Sequence, residues 1–374
     1  MKTPSALADL VKRHIQSIPP YIPGKPIAEV ERELGIHGAI KMASNENPLG
    51  PSPMAMERMK EHLARCHIYP ESSGPGLRTA LAQRFRVEPD QVILGNGSDE
   101  LMQLCAHILI GADDEAIAPA NSFSMYRIAV ESFGGKLVQI PLRTDYRVDL
   151  AKMAAAVTDR TRIVFFANPN SPTGTVASKE ELDAFFASLP TDRLLVVIDE
   201  AYREFVRDKA CPEGVAYLDQ SIPVIVLRTF SKIYGLAGLR IGYGLSNAWL
   251  IDILNRVRAP FNTNALAQAA AEGALTDFAH EEKTRELVWT GIDYLTSALT
   301  ALGFHVLPSQ ANFLCFRAQG RARALYDYLL RRGVIVRHLA SFGMEDWIRV
   351  TIGTMEQNAV FVRNVREFVA HMDA

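Results

Sequence analysis

Short apolar runs that recur between helical stretches constrain this chain most. Ala116–Ala118, Lys136–Ile140, Ile163–Phe166, Leu194–Ile198 and Val224–Leu227 all have strand length. Between them lie helical patterns at Phe123–Phe133, closed by Gly134 and Gly135, and at Lys179–Ala187. A continuous apolar run, rather than an alternating one, marks a strand covered on both faces, as in a parallel sheet flanked by helices. Upstream, the strand Gln91–Leu94 leads into a helix at Asp99–Ile110 with an acidic first turn. The predicted class is α/β with a mainly parallel sheet. After about Arg258 the pattern changes. A helical span covers Asn264–Leu302, strand-like pieces follow at Phe313–Phe316, Val334–Val336 and Ile348–Thr351, and a last helix covers Gln357–His371. This predicts an N-terminal arm with part of a small domain over 1–45, a large domain over 46–258 and a small α+β domain over 259–374. The arm is extended where Ile18–Pro26 holds four prolines, and Asn45–Pro53 is irregular.

The chain has 374 residues, enough for a sizeable core, with 48% apolar and 22% charged residues. Forty basic and 42 acidic residues give a formal net charge of −2, which favours neither a general nucleic-acid nor a membrane-surface role. Cys66, Cys105, Cys211 and Cys315 are far apart and form no CxxC pair, so neither a disulfide framework nor a metal site is expected. The first 17 residues lack the apolar core of a signal peptide, and no run approaches the roughly 20 apolar residues of a membrane span. A soluble, cytoplasmic protein is the expectation.

Ligands of parallel sheets bind at the carboxyl ends of strands, and polar groups collect there. Lys232 follows the strand ending near Leu227, within Thr229-Phe230-Ser231-Lys232. A single lysine is usually a solvated surface group. Here two hydroxyls precede it and Gly235, Gly238 and Arg240 follow, a set that can surround a phosphate while the amine attacks an aldehyde. Asp199 ends another apolar run, where a carboxylate is as often a cap or salt-bridge partner. Tyr202 lies three residues on. Gly95-Asn96-Gly97-Ser98-Asp99-Glu100 links a strand to a helix. Alone it is a capped turn, yet helix N–H groups and two glycines suit an anion. It lacks the third glycine of a dinucleotide fingerprint. Phe123 could be core or could stack on a ring. Arg349 lies within an apolar strand and Arg337 ends another; either could be a surface group or could grip an anion.

Together these motifs resemble the fold-type I pyridoxal-phosphate enzymes, and within them the class II aminotransferases. The carrying segments are Ser44–Pro51, Gly95–Glu100, Asn168–Gly174, Asp199–Tyr202, Thr229–Tyr243 and Arg349–Thr354, in the family's order over most of the chain. The resemblance implies a large domain with a mainly parallel seven-stranded sheet, and pyridoxal 5'-phosphate held by Lys232 as a Schiff base. It implies that Lys232 also shuttles the proton, that Asp199 pairs with the ring nitrogen and that Tyr202 meets the phenolic oxygen. Gly97, Ser98, Asp99, Thr229, Ser231 and Arg240 would hold the phosphate, and Phe123 would stack on the ring. Arg349 would bind the substrate anion with help from Arg337, and Tyr21 would contact substrate from the arm. Tyr69 matches a tyrosine that reaches the neighbouring subunit's cofactor phosphate, which implies a homodimer with shared active sites.

Two departures stand out. The family commonly has asparagine where this chain has Ser171, and Asn168 is expected to take over its contact with the phenolic oxygen. Many relatives have tyrosine at Phe123. The expected reaction joins L-histidinol phosphate and 2-oxoglutarate with glutamate as the amino carrier. An aromatic amino-acid aminotransferase and a phosphothreonine decarboxylase on the same scaffold are the alternatives.

Overall fold

The computed structural model describes residues 5–21, 24–190 and 192–372. Its strands are β1 (Ile40–Lys41), β2 (Val92–Gly95), β3 (Glu115–Pro119), β4 (Lys136–Ile140), β5 (Thr161–Ala167), β6 (Leu195–Asp199), β7 (Val224–Thr229), β8 (Gly242–Leu245), β9 (His305–Val306), β10 (Phe313–Arg317), β11 (Val334–Ile335), β12 (Arg337–His338) and β13 (Trp347–Thr351). Seven of them form one sheet in the order β2-β8-β7-β6-β5-β3-β4. All neighbours are parallel except β8, which runs antiparallel to both β2 and β7.

The apolar runs are explained by burial. Every residue of β3, β6 and β7 is buried, whereas the edge strand β4 leaves Lys136 and Gln139 exposed. Side chains alternate between two cores, one on each face. Val196, Ile198 and Val226 join one cluster, while Leu195, Val197 and Ile225 join the other. This is the two-residue period of a strand packed on both sides. Helices at Ser98–Leu109, Met125–Ser132 and Lys179–Ser188 fall where their patterns predict them. The last of these starts in a capping box, with the Ser178 side chain on the Glu181 N–H and the Glu181 side chain on the Ser178 N–H.

The predicted helical span over 264–302 is two helices, Ala265–Thr276 and Phe278–Ala301. Asp277 leaves helical geometry at the junction and its carboxylate accepts the His280 N–H, so an N-cap interrupts a stretch that is otherwise helix-forming.

The C-terminal part builds a four-stranded antiparallel sheet, β12-β13-β10-β9. Residues from near the start of the chain complete it. β1 pairs in parallel with β11, the Thr351 N–H donates to the Met42 carbonyl, and Ala43 packs with Val30 and Ile335.

Candidate active site

Neighbouring strands β6 and β7 reach the same edge of the large sheet, β6 ending at Asp199 and β7 at Thr229. A cavity of about 260 Å³ opens there, and the small sheet forms its opposite wall. Asp199, Tyr202, Thr229, Ser231 and Lys232 line it from the large sheet. Ser98 and Asp99 enter from the start of a helix, Phe123 from the loop after β3, and Tyr21, Arg337 and Arg349 from the arm and the small sheet.

One end of the cavity is built for an anion. Ser98 is the first residue of the helix Ser98–Leu109, whose leading N–H groups have no intrahelical partner. Gly97 before it has φ of +78°, and a Cβ there would stand 2.6 Å from Arg240 Nη2. A Cβ on Gly242 would lie 2.6 Å from the Ser98 nitrogen, so only glycine lets β8 approach the helix start. Arg240 Nη1 donates to Ser231 Oγ at 3.4 Å, and Thr229 Oγ1 accepts the Ser231 N–H at 3.0 Å. The Asp99 carboxylate accepts from Arg240 Nη2 at 3.3 Å, which leaves its backbone N–H as its means of serving an anion. Amide donors, hydroxyls and a guanidinium together suit a phosphate.

Beside this cradle lies a carboxylate that makes no ion pair among the described residues. Asp199 is 5% exposed, and burial pushes its carboxyl up to about 6 despite hydrogen bonds from Tyr126 and the Ala201 N–H and the attraction of Lys232. Tyr126 Oη donates to Asp199 Oδ2 at 2.9 Å. A protonated ring nitrogen would supply the missing cation, so the donor set fits pyridoxal phosphate at both its phosphate and its ring. The Lys232 ammonium donates to the Ser44 carbonyl at 3.2 Å and lies 5.6 Å from the centre of the Tyr202 ring.

The far wall carries two arginines side by side. Arg337 on β12 pairs in register with Arg349 on β13. Arg349 is 7% exposed, and its Nη1 and Nη2 donate to Ser171 Oγ and the Ala43 carbonyl. Among the described residues its buried Nε has no hydrogen-bond partner. Burial lowers the basicity of this guanidinium, Arg337 adds to the effect, and Tyr202 opposes it. An arginine desolvated, crowded by a second cation and left with an idle donor is poised for an incoming carboxylate or phosphate.

Two expected residues lie elsewhere. Asn168 does not line the cavity. Its amide oxygen accepts the Ala177 N–H at 2.9 Å and its amide nitrogen faces the Ala177 carbonyl and Cys211 Sγ, so it pins its own loop and is not free to replace the usual asparagine. Ser171 does line the cavity, bonded to Arg349. Tyr69 is 78% exposed and stacks on Phe261 with ring centres 4.6 Å apart, outside this chain's own cavity. Sequence reasoning passed over Tyr126 and Asn45. Tyr126 follows Phe123 by one helical turn. Asn45 sits in the Ser44–Pro51 segment and donates from Nδ2 to Tyr202 Oη at 2.9 Å.

The family model for aminotransferase class I and II matches residues 37–365. The histidinol-phosphate aminotransferase of Moorella thermoacetica is 47% identical over 98% of this chain and 95% of that protein. Histidinol-phosphate aminotransferase 1 of Nitrosococcus oceani is 45% identical over 96% of each. Among solved structures, that of the histidinol-phosphate aminotransferase from Sinorhizobium meliloti with pyridoxal-5'-phosphate superposes with a TM-score of 0.89. It is 28% identical over 96% of this chain and 98% of that one. The chain belongs to the class I and II aminotransferases, the pyridoxal-phosphate-dependent transaminases of fold type I.

Proposed function

We propose that the chain transfers the amino group of L-histidinol phosphate to 2-oxoglutarate, giving imidazole-acetol phosphate and L-glutamate, a step of histidine biosynthesis. The observation that carries this reading is the paired Arg337 and Arg349 wall facing Lys232, because both partners bring an anionic end to the same cavity. The names of the relatives at 45–47% identity support the choice of substrate.

Bound pyridoxal phosphate supplies an aldehyde for the amine and an electron-accepting ring. Ser98, Asp99 through its backbone, Thr229, Ser231 and Arg240 would hold its phosphate, with Gly97 leaving them room. Asp199 would keep the ring nitrogen protonated, with Tyr126 orienting the carboxylate. Phe123 would press against the ring face, and the Tyr202 hydroxyl would serve the phenolic oxygen. Lys232 would anchor the aldehyde and, as a free amine, would carry the proton taken from the substrate α-carbon. Arg349 and Arg337 orient the anionic end, and Tyr21 covers the mouth. In the second half-reaction the same groups act in reverse on 2-oxoglutarate.

The same reading makes the enzyme a cytoplasmic homodimer in which Tyr69 serves the partner's phosphate cradle. Its exposure beside Ile68 and Leu63, also exposed, supports a contact there. Among the described residues no helix is long and apolar enough to cross a membrane.

The test is a donor panel with 2-oxoglutarate as acceptor. Histidinol phosphate should exceed phenylalanine in kcat/KM by about tenfold or more, because its phosphate dianion offers the arginine pair more charge and one more acceptor oxygen than a carboxylate. A preference for phenylalanine would make it an aromatic aminotransferase. Carbon dioxide release without 2-oxoglutarate would make it a decarboxylase.

A further inference from the structure

Asn45 is 1% exposed and holds a left-handed backbone with φ of 58°, which asparagine tolerates better than most residues. Its hydrogen bonds have only one consistent direction. The Asn45 backbone N–H can only donate, and it does so to Thr351 Oγ1 at 2.9 Å. The Thr351 hydroxyl then gives its own proton to Asn45 Oδ1 at 3.0 Å. That makes Oδ1 the acceptor and Nδ2 the donor, and Nδ2 points to Tyr202 Oη at 2.9 Å. The opposite amide orientation would strand the Thr351 proton in a site where Thr351 is 4% exposed and, among the described residues, no other acceptor is in reach. Asn312 Nδ2 further secures the Asn45 carbonyl at 3.0 Å.

We propose that Asn45 is a positioning residue that aims the Tyr202 hydroxyl, its amide occupying the phenolic oxygen as donor so that the tyrosyl proton is turned into the cavity. The inference rests on the reading of Tyr202 as the partner of the cofactor's phenolic oxygen. A hydroxyl that could both donate and accept becomes, by this bond, a committed donor, and donation to its oxygen strengthens its own O–H as a donor. It also explains how the site works with Ser171 in place of asparagine. The amide is supplied one step back, through Tyr202. The relay starts on β13, two residues beyond Arg349, passes through the segment whose Ala43 carbonyl receives Arg349 Nη2, and ends at Tyr202. The wall that grips the substrate anion and the group that tunes the ring therefore share two backbone segments.

The experiment titrates the visible absorbance of the cofactor-loaded enzyme against pH. A donor at the phenolic oxygen stabilises its anion, so losing that donor moves the midpoint upward. Tyr202→Phe should give the full upward shift. Asn45→Gly keeps the left-handed backbone, removes the amide, and should shift the midpoint upward by about 0.7 unit, the scale of one hydrogen bond. In the Tyr202→Phe background, Asn45→Gly should add nothing. Thr351→Val, which frees the amide to turn over, should shift the midpoint in the same direction, and Thr351→Ser should restore it. Equal shifts in both backgrounds, or no shift from either Asn45→Gly or Thr351→Val, would overturn the proposal while leaving Tyr202 in its role. No shift from Tyr202→Phe itself would instead remove the reading of Tyr202, and this inference with it. If Asn45→Gly does not fold, the Thr351 pair decides the question alone.

Discussion

The two sheets meet at one cavity but contribute to it differently. The large sheet offers strand tips. Asp199 and Thr229 are the last residues of parallel strands, and Lys232 follows directly, so their side chains stand where backbone partners run out. The small sheet offers strand flanks. Arg349 lies in the middle of β13, with Arg337 on one neighbour and Cys315 on the other. Tips can be replaced without unzipping a ladder, which suits groups that must match a cofactor closely. Flanks are held by neighbours on both sides, which suits a guanidinium kept desolvated with a donor to spare. On the proposed reading, cofactor chemistry belongs to one sheet and substrate capture to the other.

The largest effect should come at a tip. Lys232→Ala should lower turnover by about 10³-fold or more, since both the covalent anchor and the proton carrier are lost. Single-turnover mixing with histidinol phosphate checks this, and full activity would remove the lysine from the mechanism.

Asp199→Asn should lower kcat by about 10²-fold or more, as loss of a preorganised charge does. It should act oppositely on the cofactor-free fold. With the Asp199 carboxyl raised from 3.8 to about 6, the native state binds the extra proton, and stability falls as pH rises through that window. The cost is complete above about pH 6 and on the order of 3 kcal/mol. The variant should therefore melt higher than the parent at pH 8, with a smaller gain at pH 5. A gain independent of pH would mean that Asp199 is not the buried charge inferred here.

At the flank, Arg349→Ala should cost about 10- to 100-fold in kcat/KM, carried by KM for both substrates, with cofactor retained. Loss of cofactor on dialysis would break the division of labour between the sheets. The smallest effect should be Tyr126→Phe, about fivefold in kcat, the value of one hydrogen bond to Asp199 Oδ2. A larger loss would give that tyrosine a direct part in the chemistry.

Asp199 was legible because it is a polar residue closing an apolar run, an abrupt change that burial enforces, and Lys232 because it follows shortly after another such run. Arg349 was legible for the converse reason, a charge inside a buried strand. What could not be read depended on contacts between distant segments. β8 is short and its direction follows only from its pairing with β2 and β7. Helices at Ile27–Leu34, Pro53–Leu63 and Pro75–Phe85 were passed over although local markers exist, Ser52 and Pro53 opening the second and a left-handed Gly35 closing the first. Asn168 looked available because its neighbours in sequence offer it no partner. The loop folds back and brings it both polar groups of Ala177. Asn45 and Tyr202 lie 157 positions apart, and nothing local announces that they touch.

The ladder between β1 and β11 has a consequence for biosynthesis. As the polypeptide leaves the ribosome, every strand of the large sheet is out before β11 has been made. The phosphate cradle can thus take shape on a growing chain, while residues 40–43 wait with unmatched amides for a partner synthesised much later. Capacity to hold the cofactor would precede capacity to recognise a donor. A nascent chain stalled shortly after β8 should reveal whether the coenzyme already finds a home there.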